Sequence, residues 1–417
     1  MNIGESIGVA FSSLAANKLR SALTMLGMII GVGAVIALMS VGRGAQAMVT
    51  NQIQSMGTNL LFVIPGAART DGNVRSAQGS APTLTYEDAL ALASIPEVIA
   101  VAPEQSSFGQ VIFGSNNVNT RVVGVTPEYE TVRNFRVAEG EFFSQQHIDG
   151  KSLVVLLGSN VAGTLFPDQS AVGQKVSIGF GNRRIPFSIV GVLESKGAQA
   201  MGNQDDMVLM PITTLQQRLM MQRTTQGGHN VNTVNVQTVS QDPAVMQAAI
   251  DQIGEILRQR HRVSEDDFTI RSQEDMLAMA TEVMGVMTLM LGAIAGISLV
   301  VGGIGIMNIM LVSVTERTRE IGIRKAVGAK RGDILVQFLV ESVAVSVVGG
   351  GMGVLAGAGL AHLISSLDLG GQKLDTIVAV DAVLMAFGVS AAIGIFFGIY
   401  PASRAARLNP IDALRYE

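Results

Sequence analysis

Residues 283–314 read VMGVMTLMLGAIAGISLVVGGIGIMNIMLVSV, thirty-two positions without a charge, bounded by Glu282 and Glu316. A hydrocarbon core of roughly 30 Å needs about 20 apolar residues in a helix. The stretch is therefore a membrane span with residues to spare, since at 1.5 Å per residue it reaches ~48 Å. It either tilts or begins outside the bilayer. Emergence is the favoured reading, with the helix starting near Gln273 and rooted in the domain before it.

Three further stretches qualify as spans. Leu23–Val41 carries no charge between Arg20 and Arg43. Ile334–Leu363 is interrupted by Glu341 and His362, and Val383–Tyr400 is uncharged between Asp381 and Arg404. The first is longer than the ~7–15-residue apolar core of a cleaved signal peptide. Its Gly27 and Gly31 also form a small-residue pair suited to a helix bundle. Composition agrees, with 48% hydrophobic and 15% charged residues among 417, against about 25% charged in soluble domains. A net charge of −4 with no basic tract excludes a nucleic-acid footprint. The absence of cysteine excludes disulfides and thiolate metal sites.

Lysines and arginines in short flanks set orientation. Lys18 and Arg20 precede span one, six basic residues from Arg317 to Arg331 separate spans two and three, and Arg404, Arg407 and Arg415 follow span four. The short loop Ser365–Ala382 holds only Lys373. Both termini and the basic loop are thus expected in the cytoplasm, with Gly42–Glu282 outside. Gly349, Gly353 and Gly357 recur every four residues on span three, Gly292 and Gly296 on span two, and Gly394 and Gly398 on span four. Such spacing lets helix backbones approach closely in lipid. Glu341 is expected to pair with a loop arginine, and Asn308 to hydrogen-bond between helices.

The outer segment reads as mixed α and β. Strands are expected at Leu60–Pro65, Val98–Ala102, Gln110–Phe113, Thr120–Val125, Leu153–Leu157, Lys175–Ile178, Pro186–Leu193, Val231–Val239 and Phe268–Ile270. A capping box at Thr85–Asp88 introduces a helix Asp88–Ser94, and another helix covers Pro243–Arg260. Ala67–Ala81 and Gly197–Asp206, rich in small and polar residues, read as mobile loops. His147, His229, His261 and His362 lie in no metal-ligand spacing, and there is no GxSxG elbow. Asp205-Asp206 reads as a solvated loop. No catalytic constellation or metal site is expected.

The loop Thr315–Asp333, TERTREIGIRKAVGAKRGD, alternates charge and carries apolar Ile323 and Val327 four residues apart. Gly328 is a helix stop, and the next helix can start at Asp333. A short helix here can transmit motion from a cytoplasmic partner. The loop resembles the E-R-x-R-E-I-G-I-R-x-A-x-G-A signature of MacB/FtsX-like permeases, the type VII ABC transporter family. The segments Asn17–Gly31 and Tyr400–Arg415 resemble it too, so the likeness runs the whole chain in order.

That resemblance implies a membrane protein with four transmembrane α-helices and a large mixed α/β extracytoplasmic domain of porter- and sabre-like lobes. The implied division is an amphipathic cytoplasmic helix over 1–20, spans at 21–42, 276–314 (with a stalk), 333–364 and 381–400, and a cytoplasmic tail at 401–417. The outer domain would occupy 43–275, with the porter-like lobe at 43–137 and 227–275, the sabre-like lobe at 138–226, and a short outer loop at 365–380. A coupling helix within 315–332 would dock in an ATPase groove through Glu316, Arg317, Glu320, Ile321, Gly322, Arg324, Lys325, Ala326 and Gly328.

Implied partners are two copies of an ABC ATPase, a second permease copy, membrane lipid of the bacterial inner membrane, and in tripartite systems a periplasmic adaptor (membrane-fusion protein) with an outer-membrane duct. No cofactor would bind the permease directly, ATP and Mg being held by the ATPase. The 417 residues contain no GxxxxGK[ST], so ATP hydrolysis is expected in a separate chain. Export of a drug, peptide or other amphipathic molecule is the leading expectation. Lipoprotein extraction and FtsX-like regulation of a cell-wall hydrolase are the alternatives.

Overall fold

In the computed structural model, which describes residues 18–57, 59–70, 74–78, 82–180, 183–196, 203–220, 228–366 and 376–414, each uncharged stretch becomes a long helix. In chain order the elements are α1 (Lys18–Ser55), β1 (Leu60–Pro65), β2 (Ala67–Thr70), β3 (Val74–Gln78), α2 (Tyr86–Leu92), β4 (Val98–Phe113), β5 (Asn116–Val125), α3 (Tyr129–Val132), β6 (Val137–Gly140), α4 (Gln145–Asp149), β7 (Val154–Leu157) and α5 (Ser159–Leu165). Then come β8 (Lys175–Phe180), β9 (Arg183–Leu193), β10 (Met207–Pro211), α6 (Ile212–Thr214), a π-helical turn at Leu215–Met220, β11 (Thr233–Thr238), α7 (Pro243–His261) and β12 (Phe268–Ser272). Five helices close the chain: α8 (Gln273–Glu316), α9 (Thr318–Ala326), α10 (Arg331–Ser366), α11 (Val380–Arg407) and α12 (Pro410–Leu414). Two compact units result, Met1–Met48 with Ala280–Glu417, and Val49–Met279.

Among the described residues, the first unit contains four helices long and apolar enough to span a bilayer, in α1, α8, α10 and α11. The second of these does begin at Gln273, and its 44 residues run without a break to Glu316. The amphipathic segment expected over 1–20 lies outside the described residues, except that Lys18–Arg20 already belong to α1. The interior of this unit is built from Met28, Ile36, Leu299, Ile306, Met310 and Phe338. At the loop-distal end, Arg43 Nη1 donates to Asp381 Oδ1 at 2.7 Å and fastens α1 to α11.

Among the described residues the second unit is a sheet of ten strands, with a separate β2–β3 hairpin. Strand order is β12-β1-β11-β4-β5-β10-β7-β9-β6, and β8 bridges β4 and β9. Six strands, β4, β5, β10, β7, β9 and β8, therefore close on themselves. Alternation sorts their side chains between two cores. Val155, Leu157, Phe187, Ile189, Val208 and Met210 fill one. Leu156, Leu193, Met207 and Leu209 point the other way, into a core shared with β1, β11, α2 and α7.

Several sequence expectations need correction. Val98–Ala102 and Gln110–Phe113 are one sixteen-residue strand. The capping box is present, with Thr85 N donating to Asp88 Oδ2 at 2.9 Å, so the helix starts at Tyr86 rather than at Asp88. Ala67–Ala81 contains the β2–β3 hairpin instead of a loop. Of Gly197–Asp206, residues 197–202 lie outside the described residues, and Asp205 is no solvated loop residue. It is 4% exposed, and its carboxylate accepts from Ser195 Oγ at 2.7 Å and Lys196 N at 2.8 Å. Strand β10 escaped detection because all five residues are buried, which erases the alternating pattern.

One polar knot ties this unit's helices. The Asp88 carboxylate, 3% exposed, accepts from Thr85 Oγ1 (2.7 Å) and Arg260 Nε (2.6 Å) and faces His261 Nε2 at 3.1 Å. The other ring nitrogen, His261 Nδ1, lies 2.7 Å from Asp267 Oδ1. Burial pushes the Asp88 carboxyl up, but the hydrogen bonds from His261, Thr85 and Arg260 outweigh it and hold it well below the carboxylate range. The contact with Asp88 in turn raises the His261 pKa against desolvation, with Asp267 adding to the rise.

Candidate functional site

Helix α9 sits between the second and third spans and is locked on its inner side. The chain breaks at Arg317, whose φ of −101° and ψ of 16° end one helix and start the next. Thr318 Oγ1 donates to Val314 O at 3.0 Å, returning the first turn to the end of α8. Ile321 is 1% exposed and belongs to the apolar interior of the helical unit. Gly322 lies against α12, where an added Cβ would stand 2.9 Å from Ala413 Cβ. No larger residue fits that approach without moving α12.

Lys325 supplies the strongest tie. Its Nζ donates to Ala406 O at 2.6 Å and Leu408 O at 2.7 Å. These carbonyls lie at the C-terminus of α11, where helix carbonyls lack intrahelical partners and attract cations. Arg324 donates to Gln337 Oε1 at 2.8 Å and Glu320 Oε1 at 2.6 Å, bracing α9 on α10. Arg317 Nη1 reaches Glu341 Oε2 at 3.4 Å, the loop-arginine pairing anticipated for Glu341.

The helix stops as its sequence requires. Gly328 has φ +110°, a left-handed conformation open to glycine. Ala329 N donates to Arg324 O at 3.0 Å, closing a Schellman turn. The following helix begins at Arg331, two residues before the expected Asp333. Asp333 lies inside its first turn, where Oδ2 accepts from Lys330 N at 2.9 Å.

The nine residues singled out at this helix therefore divide. Glu316, Glu320, Ala326 and Gly328 are exposed, and Arg317, Arg324 and Lys325 are half-buried in the contacts just described. Ile321 and Gly322 face inward, packed against this chain's own helices. The outward apolar groups are Ile323, 49% exposed, and Val327, 84% exposed. Short helix α12 extends this surface with exposed Ile411 and Leu414, which the sequence reading missed because a five-residue helix has no periodic signal.

The glycines divide as well. A Cβ on Gly27 would stand 2.9 Å from Gly302 Cα, one on Gly31 3.0 Å from Leu299 Cγ, and one on Gly349 3.1 Å from Met28 Cβ. One on Gly353 would stand 3.0 Å from Ile29 O, and one on Gly357 2.9 Å from Ile36 Cβ. Gly394 and Gly398 press on Ser346 and Ser342. Gly292 and Gly296 meet no neighbour within 4 Å among the described residues. They line an apolar groove with Val32, Ala295 and Val389 instead. Asn308 is exposed on α8, with no interhelical hydrogen bond among the described residues. No group of three or more metal-ligating side chains occurs among the described residues.

The family described as MacB-like periplasmic core domain matches residues 21–256, and that described as FtsX-like permease C-terminal matches residues 292–410. The macrolide export ATP-binding/permease protein MacB of Bdellovibrio bacteriovorus is 41% identical over 418 residues, covering 99% of this chain and 62% of its own length. Its namesake from Syntrophobacter fumaroxidans is 40% identical over 470 residues, covering 99% of this chain and 64% of its own. The chain thus spans less than two thirds of the length of these curated relatives. Among solved structures, the periplasmic region of MacB from Actinobacillus actinomycetemcomitans aligns with a TM-score of 0.43 at 20% identity, covering 55% of this chain and 96% of that one.

Proposed function

Because the chain belongs to the MacB-like family of ABC transporter permeases, with its periplasmic core and FtsX-like C-terminal domains, we propose that it is the membrane part of an exporter driven by mechanotransmission. The carrying observation is α9, which is locked inward by Ile321, Gly322 and Lys325 and turns Ile323 and Val327 outward. A helix fixed in this way moves with the spans and not independently of them. An ATP-binding partner that grips its outer face would pull on α10, α11 and the end of α8.

In this reading two ATPase subunits serve a permease homodimer in the bacterial inner membrane. The termini and α9 are cytoplasmic, and the α/β unit is periplasmic. ATP and Mg stay with the ATPase, and ATP-driven closure moves the α/β unit without passing cargo between the spans. The porter-like (43–137, 227–275) and sabre-like (138–226) lobes would then act on cargo together with a periplasmic adaptor and an outer-membrane duct. The relatives' name, macrolide export, supports an amphipathic cargo.

The test is Ile323→Asp with Val327→Asp, read by co-purification with the ATP-binding partner and by transport. Both residues are exposed, so the fold should survive while association and transport fall at least tenfold, as expected when apolar anchors at an interface are lost. Unchanged association and transport would refute the docking role.

A further inference from the structure

One face of the sheet in the α/β unit is left uncovered over part of its length. Register places Phe62 opposite Asn235, Asn235 opposite Ala102, Thr233 opposite Glu104, and Phe108 opposite Arg121. These residues therefore share one face. Near β1 that face is core, with Phe62 6% and Asn235 1% exposed. Four residues beyond Glu104 along β4 the cover ends, and Phe108 stands 73% exposed.

A cleft of about 630 Å³ lies over this stretch, rimmed by Met56 and Met276. Its volume falls in the range of small-molecule sites, about 300–1,000 Å³. Met56 directly follows α1, and Met276 lies in the first turn of α8.

The polar groups of the cleft are unevenly matched. Glu104 is occupied, its Oε2 accepting from Tyr129 Oη at 3.0 Å and its Oε1 lying 3.8 Å from Arg121 Nη2. Asp206 accepts from Asn203 Nδ2 at 2.7 Å. Arg133 is different. Its guanidinium sits 5.5 Å from the centre of the Phe62 ring and has no carboxylate partner among the described residues. Its Nε is buried without a hydrogen bond, and so is Gln204 Oε1. A buried donor without an acceptor is destabilising, and an incoming acceptor would satisfy it.

We propose that this cleft binds an amphipathic carboxylate, its acidic group on Arg133 and Arg121 and its apolar body along Phe108, Phe62, Met56 and Met276. A planar guanidinium matches a carboxylate in shape and charge. The exposed phenyl ring and the thioethers give an adaptable apolar wall. The inference rests on the export reading for the ligand's role as cargo, while the binding itself requires no ATPase.

The experiment uses the full chain in lipid nanodiscs and two fluorescent probes, 11-(dansylamino)undecanoic acid and the corresponding undecanol. Wild-type protein should bind the acid more tightly than the alcohol. Arg133→Gln should weaken the acid about tenfold and leave the alcohol within about twofold, as expected for loss of one charge-assisted pair. Arg133→Lys should restore part of the difference, and Phe108→Ala, at an exposed position, should weaken both probes. Empty nanodiscs set the lipid background. Equal binding of acid and alcohol, or an acid affinity unchanged by both Arg133→Gln and Phe108→Ala, would overturn the proposal. Neither result would touch the α9 docking reading, which fails only if the Ile323 and Val327 variants still couple.

Discussion

Replacing Asp88 with Asn should loosen the corner of the α/β unit from which α8 starts. Asp88 caps α2, holds Arg260 and His261 at the end of α7, and through His261 reaches Asp267, just before β12. β12 in turn leads directly into Gln273, the first residue of α8. The carboxylate is buried, and removing one partner of a buried ion pair costs about 3–5 kcal/mol. The amide can keep the acceptor role toward Thr85 N, so the lower end, about 3 kcal/mol, is the working figure. At 1.4 kcal/mol per decade this is roughly a hundredfold increase in local opening. Hydrogen–deuterium exchange of the full chain, followed in peptides covering 82–95 and 256–272, reads that opening directly.

The pH dependence of the same signal carries a sign. The folded His261 pKa is raised, chiefly by Asp88. Its contribution is therefore fully present below the unfolded value near 6.5 and is lost as pH rises through the folded value. The depressed Asp88 pKa acts oppositely, its contribution present above the unfolded carboxylate value of about 3.9 and lost as pH falls below it. After correction for intrinsic exchange, wild-type protection in both peptides should fall as pH rises past about 6.5, and Asp88→Asn should flatten that slope. Exchange rates within threefold of wild type, with the slope intact, would show that the knot does not hold this corner.

Three further outcomes concern the helical unit. Gly398→Leu, whose side chain would collide with Ser342, should lower the chain's thermal stability in detergent by the cost of overpacking, about 1–3 kcal/mol or more. Gly292→Leu, which meets open space within the chain, should leave that stability within about 0.5 kcal/mol. Lys325→Met should free the end of α11, since two charge-assisted bonds to Ala406 O and Leu408 O disappear. Exchange in residues 402–414 should then rise about tenfold, consistent with a net loss near 1.5 kcal/mol.

Much of this protein is determined locally. Span number follows from uncharged length, because a bilayer demands about 20 apolar residues whatever their neighbours. The start of α8 at Gln273 was legible from a run too long for one crossing. The capping box at Thr85 and the stop at Gly328 are set within four residues, and both appear in place. The closed ring of six strands was not legible, because β10 has no alternation and its pairing with β5 joins residues about eighty positions apart. Nor could the sequence say which side of α9 faces out. Ile321 and Ile323 are chemically alike, and only the packing of α10, α11 and α12 buries the first and exposes the second. The unmatched Arg133 is of the same kind, since whether an arginine has a partner depends on which carboxylates the fold carries to it.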